Sequence, residues 1–307
     1  MFDIKSYYPA YSVREALLLA KKHEGARFIA GGTDLLIKLR EGKFSDALLI
    51  GVGGIPELSE IALDTVNGRE RVLCVGPLCT FARLAADPLI ESCAPMLGRA
   101  VDQAGGPQLR NVGTIGGNVC NGATSADSAA SLFALNARLV LASLPEGEAG
   151  REGDTVDEEI SIHDFYRGPG RVALKPGQLL TEIRIYPEDY EGYFGHYTKY
   201  SMRNAMDIAT LGCAVWCRFS RDLKLVEDVR LAYGVAGPVP RHGRDLPVFG
   251  EPGPGRNQPP GFLAGLPGIP AAAGGRAGLP GNCPGLYSSP GSKGKRRSQD
   301  QAGAAGA

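Results

Sequence analysis

IAGGTDLL at Ile29–Leu36 and TIGGNVCNGATSADS at Thr114–Ser128 decide how this chain is read. In the first, glycines at 31 and 32 remove side chains that would hold a backbone away from a ligand, and they permit positive φ. Successive free amides then point toward one anion. The helix that follows adds its positive N-terminal end, with Thr33 or Asp34 as cap. A diphosphate is the natural guest. The second stretch repeats this logic with more polar groups: Thr114, Gly116, Gly117, Asn118, Asn121, Thr124, Ser125 and Asp127. Hydroxyl and amide groups suit a polyol, and a carboxylate such as Asp127 only accepts hydrogen bonds, which suits sugar-type hydroxyls. GGTD alone is explained as well by a turn. Two such stretches, each running into a helix, favour the phosphate site.

Outward from the loops the pattern is regular. Ser12–Glu15 is a capping box, and the helix VREALLLAKKHEG that it opens ends at Gly25. A short strand at Arg27–Ala30 enters the first loop, and a helix from about Asp34 to Glu41 leaves it. Strands are expected at Ala47–Ile50 and Val72–Val75. Thr80 caps a helix FARLAADPLI, and another helix lies near Pro95–Ala104. After the second loop, SADSAASLFALNA reads as a helix, RLVLAS as a strand and Pro145–Glu159 as a surface loop. QLLTEIRIYP, TLGCAVWCRFS and VEDVRLAYGVAG alternate and are rich in β-branched residues, which predicts an antiparallel sheet opening a second domain. The fold class is α+β.

The bulk numbers exclude several classes. The chain has 307 residues, 43 % hydrophobic and 21 % charged, close to the globular average. Its formal net charge is zero, so neither a nucleic-acid nor a membrane-surface partner is indicated. No apolar run approaches the roughly 18–20 residues that span a bilayer, and the charged N-terminus is no secretory signal. A cytoplasmic location is expected, and seven scattered cysteines fit it.

The composition breaks after Pro240. In 241–307, 41 of 67 residues are Gly, Pro, Ala or Arg, and only nine are Ile, Leu, Val or Phe. That segment carries a net charge of +5 against −5 for the rest of the chain. It lacks the apolar surface to offset its ordering entropy, so disorder is expected. A natural low-complexity tail is one explanation. A reading-frame shift in GC-rich DNA, which yields these four residue types, fits the abrupt change better.

At this point the residues resemble a known family. IAGGTDLLIKLR, AGGPQLRNVGTIGGNVCNGATSADS, FYRGPGRVALKPGQLLTEIRI and KYSMRNAMDIATLGCA are similar, in this order over about Met1–Pro240, to the FAD-binding subunit of xanthine dehydrogenase. That subunit belongs to the molybdenum hydroxylases, here of the bacterial three-subunit type. The resemblance implies a two-subdomain FAD-binding domain over 1–175, the start of a C-terminal α+β domain over 176–240, and non-covalent FAD. It implies that Arg27, Phe28, Ile29, Ala30, Gly31, Gly32, Thr33 and Asp34 line the diphosphate. Val112, Gly113, Thr114, Ile115, Gly116 and Asn118 continue that site, Asp127 binds the ribityl chain, and Leu180 and Lys199 lie by the cofactor. The loop Tyr200–Ala209 lies near the isoalloxazine ring. Partner subunits carry the molybdenum cofactor and a 2Fe–2S cluster, and the electrons leave as hydride to NAD+. The family continues past Pro240 with further strand and helix, which the tail lacks.

Competing signals are weaker. No G-x-x-x-x-G-K-S/T motif occurs, and Gly168–Ala173 (GPGRVA) follows no clear strand and holds a proline in its turn. Cys213 and Cys217 share one face of a strand and read as core residues, as does Cys120 by default. His163 and His196 show no partner pattern, and no histidine in the loops offers a covalent flavin link. No cysteine cluster fits an iron–sulfur centre, so iron would lie on a partner. Lys293–Arg297 is basic by chance within the tail. Rival functions are a flavin-binding assembly module without turnover and a stand-alone flavin oxidase or reductase. A frame shift has a direct test: sequencing the gene around codon 240 and restoring the frame by one base should recover a patterned C-terminal domain, and no pattern in either alternative frame refutes it.

Overall fold

The computed structural model describes residues 2–145 and 155–242. Contacts divide the chain into Met1–Ala272 and Ala273–Ala307, and every described residue falls in the first unit. The expected disorder or frame shift of 241–307 lies outside the described residues from 243 onward.

Three parallel strands come first, β1 (Ile4–Pro9), β2 (Arg27–Ile29) and β3 (Ala47–Gly51), in the order β1-β3-β2. Helix α1 (Val13–Lys22) links β1 to β2. Its capping box forms as the sequence implies: Glu15 N–H donates to Ser12 Oγ at 3.1 Å, and Tyr11 N–H donates to the Glu15 carboxylate at 2.8 Å. Gly25 sits at φ +78 just beyond the helix. Helix α2 (Leu35–Arg40) links β2 to β3.

β4 (Ile61–Val66) and β5 (Arg69–Val75) then form a hairpin. A helical run follows: α3 (Phe81–Ala86), α4 (Pro88–Cys93), α5 (Pro95–Asp102), α6 (Pro107–Arg110), α7 (Ile115–Asn121) and α8 (Asp127–Ala134). FARLAADPLI, expected as one helix, is two. Asp87 accepts the amides of Leu89 and Ile90 and starts a new helix with Pro88 at its first position.

The chain continues with β6 (Arg138–Ser143), β7 (Val156–Ser161), α9 (Ile162–Phe165), β8 (Tyr166–Gly168), β9 (Arg171–Val172) and β10 (Leu179–Ile185). β7 begins inside the stretch expected as a loop. β10 enters between β5 and β6 to complete an antiparallel sheet, β4-β5-β10-β6-β7. QLLTEIRIYP is therefore a strand as expected, yet its partners are not the two segments after it. Alternation marks a strand without naming its neighbours.

After α10 (Pro187–Tyr190) comes an antiparallel meander, β11 (Tyr193–Tyr200), β12 (Leu211–Phe219), β13 (Val226–Gly234) and β14 (Arg241–His242). The main core joins this meander to the helices: Trp216 and Tyr197 pack in one cluster with Leu97, Ala129, Phe133 and Leu180. Cys217 is fully buried beside Val215, and Cys213 packs against both, as core cysteines do.

A polar knot holds the meander in place. Asp189 of α10 accepts from Arg230 at 2.7 Å and from Asn136 at 2.9 Å, while its carbonyl accepts Trp216 Nε1 at 2.8 Å. Arg230 also donates to the Tyr193 hydroxyl at 2.8 Å, which donates to Asp228. Trp216 is 1 % exposed and stacks on Tyr193. Trp216→Ala should lower the unfolding free energy by about 3–5 kcal/mol in urea denaturation; a loss below about 1 kcal/mol would show that this indole does not anchor the meander.

Candidate functional site

β2 delivers Arg27, Phe28 and Ile29, and the chain turns through Ala30–Asp34 into α2. Arg27 lies over the Phe44 ring, while Phe28 and Ala30 pack toward α1 and Ile29 toward Leu39 and Leu49. Among the described residues, no backbone or side-chain acceptor takes the amides of Ala30, Gly31, Gly32, Thr33 or Asp34. Gly32 has φ +70, which carries the turn. Asp34 occupies the N-cap of α2 with no side-chain capping bond, so the expected cap is present by position only. An unpaired run of amides at a helix start is the donor set that an anionic group needs.

Gly31 is required for a different reason. A Cβ there would lie 1.9 Å from the Val112 carbonyl oxygen and 3.3 Å from the Gly113 nitrogen. The first stretch thus rests on the entry to the second, although 81 residues of sequence separate Gly31 from Val112. Lys38 of α2 donates to Asn121 Oδ1 of α7, tying the same elements a second time.

The second stretch is mostly helix, α7 and the start of α8 joined by a turn at 122–126. Thr114 caps α7 by accepting Gly117 N–H at 3.1 Å, and Gly122 closes it at φ +64. The amides of Ile115 and Gly116 are already taken, by the carbonyls of Cys79 at 3.0 Å and Pro77 at 2.8 Å. A Cβ at Gly116 would lie 2.4 Å from Pro77 Cβ. Gly116 therefore serves helix packing, and the amides of the second stretch without an acceptor among the described residues include those of Thr114, Ala123, Thr124 and Ser125, not those of the glycine pair. Asn118 accepts the Ser128 hydroxyl at 2.6 Å, which fastens α7 to α8. Gly170 N–H from the β8–β9 turn donates to the Gly122 carbonyl at 2.9 Å, so GPGRVA closes a hairpin and not a dinucleotide loop.

Asp127 opens α8, where the helix dipole favours its negative charge. Its Oδ2 meets Lys199 Nζ at 3.0 Å, and its Oδ1 accepts the Tyr197 hydroxyl at 3.0 Å. Lys199 also donates to the Gln103 carbonyl at 3.0 Å. The Asp127 and Lys199 side chains are 11 % and 6 % exposed. Burial pushes the Asp127 carboxyl above its ordinary value, and the bonds from Lys199 and Tyr197 oppose that rise. Sequence reading singled out Asp127 and Lys199 separately; the fold makes them an ion pair. Tyr197 was missed. The signal for it was period two, since Tyr197 and Lys199 share one face of β11.

Other expected residues lie deeper. Leu180 is 2 % exposed in the main core, the cluster that also holds Ile115 and Val119. Val112 is half-exposed, and Tyr200 at the end of β11 and Met202, Met206 and Ile208 on the loop after it stand out. His196 pairs with Arg99 at 2.8 Å, and His163 with Asn136 at 3.0 Å. A cavity of about 310 Å³ lined by Ala82, Ala85, Asp102, Pro107, Arg110 and Asn111 includes neither glycine stretch. Among the described residues, no group of three His, Cys, Asp or Glu could hold a metal ion.

Comparison with known proteins gives matches over most of the chain. The family described as the FAD binding domain in molybdopterin dehydrogenase matches residues 2–187, and the CO dehydrogenase flavoprotein C-terminal domain matches 196–247. The chain is 37 % identical over 240 residues to a xanthine dehydrogenase FAD-binding subunit of Escherichia coli O157:H7, covering 78 % of this chain and 77 % of that one. It is 31 % identical over 234 residues to the carbon monoxide dehydrogenase medium chain of Hydrogenophaga pseudoflava, covering 76 % and 75 %. The solved carbon monoxide dehydrogenase from the same organism superposes with a TM-score of 0.68 at 27 % identity, over 79 % of this chain and 78 % of that one.

Gly31→Ala should separate the two stretches. We expect a stability loss of about 1–3 kcal/mol from the forced overlap with Val112, measured by chemical denaturation. Wild-type stability would mean that the backbones do not meet there.

Proposed function

The chain belongs to the family of FAD-binding domains in molybdopterin dehydrogenases, and on that footing we propose that it is the flavin subunit of a xanthine dehydrogenase-type complex, passing electrons from a 2Fe–2S partner subunit through FAD to NAD+. A separate molybdenum-binding subunit hydroxylates the substrate in this scheme. The observation that carries the reading is the open row of amides at Ala30–Asp34, braced on Val112 and Gly113.

Arg27–Asp34 would hold the diphosphate, with the amides of 30–34 and the α2 terminus as donors. Val112–Gly116 and Asn118 would border it, by shape more than by free donors, since the amides of Val112, Gly113, Ile115, Gly116 and Asn118 are taken internally and only that of Thr114 has no acceptor among the described residues. Asp127 keeps one lone pair on each oxygen for ribityl hydroxyls, because Tyr197 and Lys199 occupy one on each. Leu180 supports the site from the core, and Lys199 brings a positive charge to it. When bound, FAD supplies a carrier that joins one-electron cluster chemistry to two-electron hydride acceptance. The exposed loop with Met202, Met206 and Ile208 would control access to its ring. No helix among the described residues is long and apolar enough to cross a membrane.

The purified chain incubated with FAD should take up the flavin absorption spectrum, and a chain that stays colourless refutes the reading. Asp127→Ala should weaken FAD retention at least roughly tenfold, as expected for loss of a charged hydrogen-bonding group. Equal retention removes Asp127 from the site. NADH oxidation with an artificial acceptor tests the NAD+ step. Bound flavin without such activity would instead favour an assembly module, the reading that the aberrant composition of 241–307 supports.

A further inference from the structure

We propose that Tyr197 is a positioning residue for the flavin's sugar chain, holding Asp127 in one orientation from a recess that glycine at position 212 keeps open. The inference rests on the FAD reading above and adds to it a residue that sequence motifs do not mark.

The Tyr197 hydroxyl donates to Asp127 Oδ1 at 3.0 Å, and the residue is only 1 % exposed. Lys199 alone would hold Oδ2 and leave the carboxylate free to turn about its Cβ–Cγ bond. With Tyr197 two residues earlier on the same face of β11, both oxygens are held and the plane of the group is set. Lys199 is itself pinned by the Gln103 carbonyl, so the pair has little freedom to follow a rotating partner.

Position 212 makes the arrangement possible. Gly212 pairs with Lys199 across β11 and β12, and a Cβ on it would lie 2.7 Å from the Tyr197 hydroxyl oxygen. Any side chain there would drive the phenol off its acceptor. The Gly212 backbone has no positive φ to explain glycine, which leaves this clearance as the reason.

Burial holds the nearby phenols and thiol neutral while Asp127 titrates. Tyr197 is pushed upward by burial and by the adjacent carboxylate, so it remains a donor. Cys213 on β12 and its cross-strand partner Tyr233 on β13 are likewise pushed upward by burial and stay neutral. Lys199 is the one ion-pair partner of Asp127 among the described residues, and Gln103 contributes a neutral carbonyl. Removing the Tyr197 hydroxyl takes away a bond that favours the charged carboxylate. The carboxyl then protonates at higher pH, and ligand binding that needs the anion is lost sooner as pH falls.

The test uses the full chain stripped of flavin, with FAD binding followed by flavin fluorescence across pH. Tyr197→Phe should raise the Kd for FAD roughly tenfold at neutral pH and move the acid loss of affinity to higher pH than in the wild type. In an Asp127→Ala background the same change should have no further effect, because its acceptor is gone. Gly212→Ala keeps the hydroxyl and displaces it, so it should reproduce the Tyr197→Phe behaviour and covers the case in which that variant folds poorly. Wild-type affinity and an unmoved acid limb in Tyr197→Phe overturn the proposal, and so does an equal loss in the Asp127→Ala background. A wild-type chain that takes up no FAD overturns the flavin reading itself.

Discussion

The approach of the Gly31 backbone to the Val112 carbonyl is the contact on which the site depends. A Cβ would need to lie 1.9 Å from that oxygen, so the crossing exists only because residue 31 has none. It presses a turn of unpaired amides against the start of the long motif. From there a continuous set of bonds runs onward: Lys38 to Asn121 between α2 and α7, Asn118 to Ser128 between α7 and α8, then Asp127 to Lys199 on β11. Each link is short-range. Together they set a phosphate-type donor row, a polar helix and a buried ion pair in one arrangement.

Electrostatics explains why the meander must be anchored so firmly. Asp127 is mostly buried, and a buried carboxylate is tolerated only with partners close at hand. Both partners come from β11, a strand far along the chain. Trp216 and the Asp189–Arg230–Tyr193 knot hold β11 to β13 against α8 and α10, so Lys199 and Tyr197 arrive where the charge is. The strained backbone of Val235 fits the same picture. At φ +69 a β-branched residue is unfavourable, yet its N–H donates to the Thr124 carbonyl at 3.0 Å, clamping the turn between α7 and α8 to the end of β13.

Much of the architecture was legible in the residues. The capping box at Ser12, the strand–turn–helix at Arg27–Arg40, the helix within SADSAASLFALNA and the two strands around Trp216 all stand where local chemistry puts them. These signals are local: a hydroxyl three residues from a glutamate, a glycine pair before a cap, an alternation of apolar side chains. Misreadings arose where a residue had two uses. Asp87 and Pro88 look like a helix interior in FARLAADPLI, yet they stop one helix and start the next. Gly116 and Gly117 look like a phosphate turn, yet they lie in a capped helix packed on Pro77.

Residue identities alone establish the chemistry on offer: glycines and a helix start suited to a diphosphate, an isolated carboxylate suited to hydroxyls, and a family motif that carries both. The tertiary structure alone decided which groups remain free to act. Backbone amides look alike in a sequence, and only the folded chain shows that those of Ala30–Asp34 are open while those of Ile115 and Gly116 are taken by Cys79 and Pro77. Likewise, partners 70 and 72 residues away make Asp127 a member of a buried trio with Tyr197 and Lys199. Long-range pairing depends on how strands and helices pack, and that information is spread over the whole core instead of residing in any one motif.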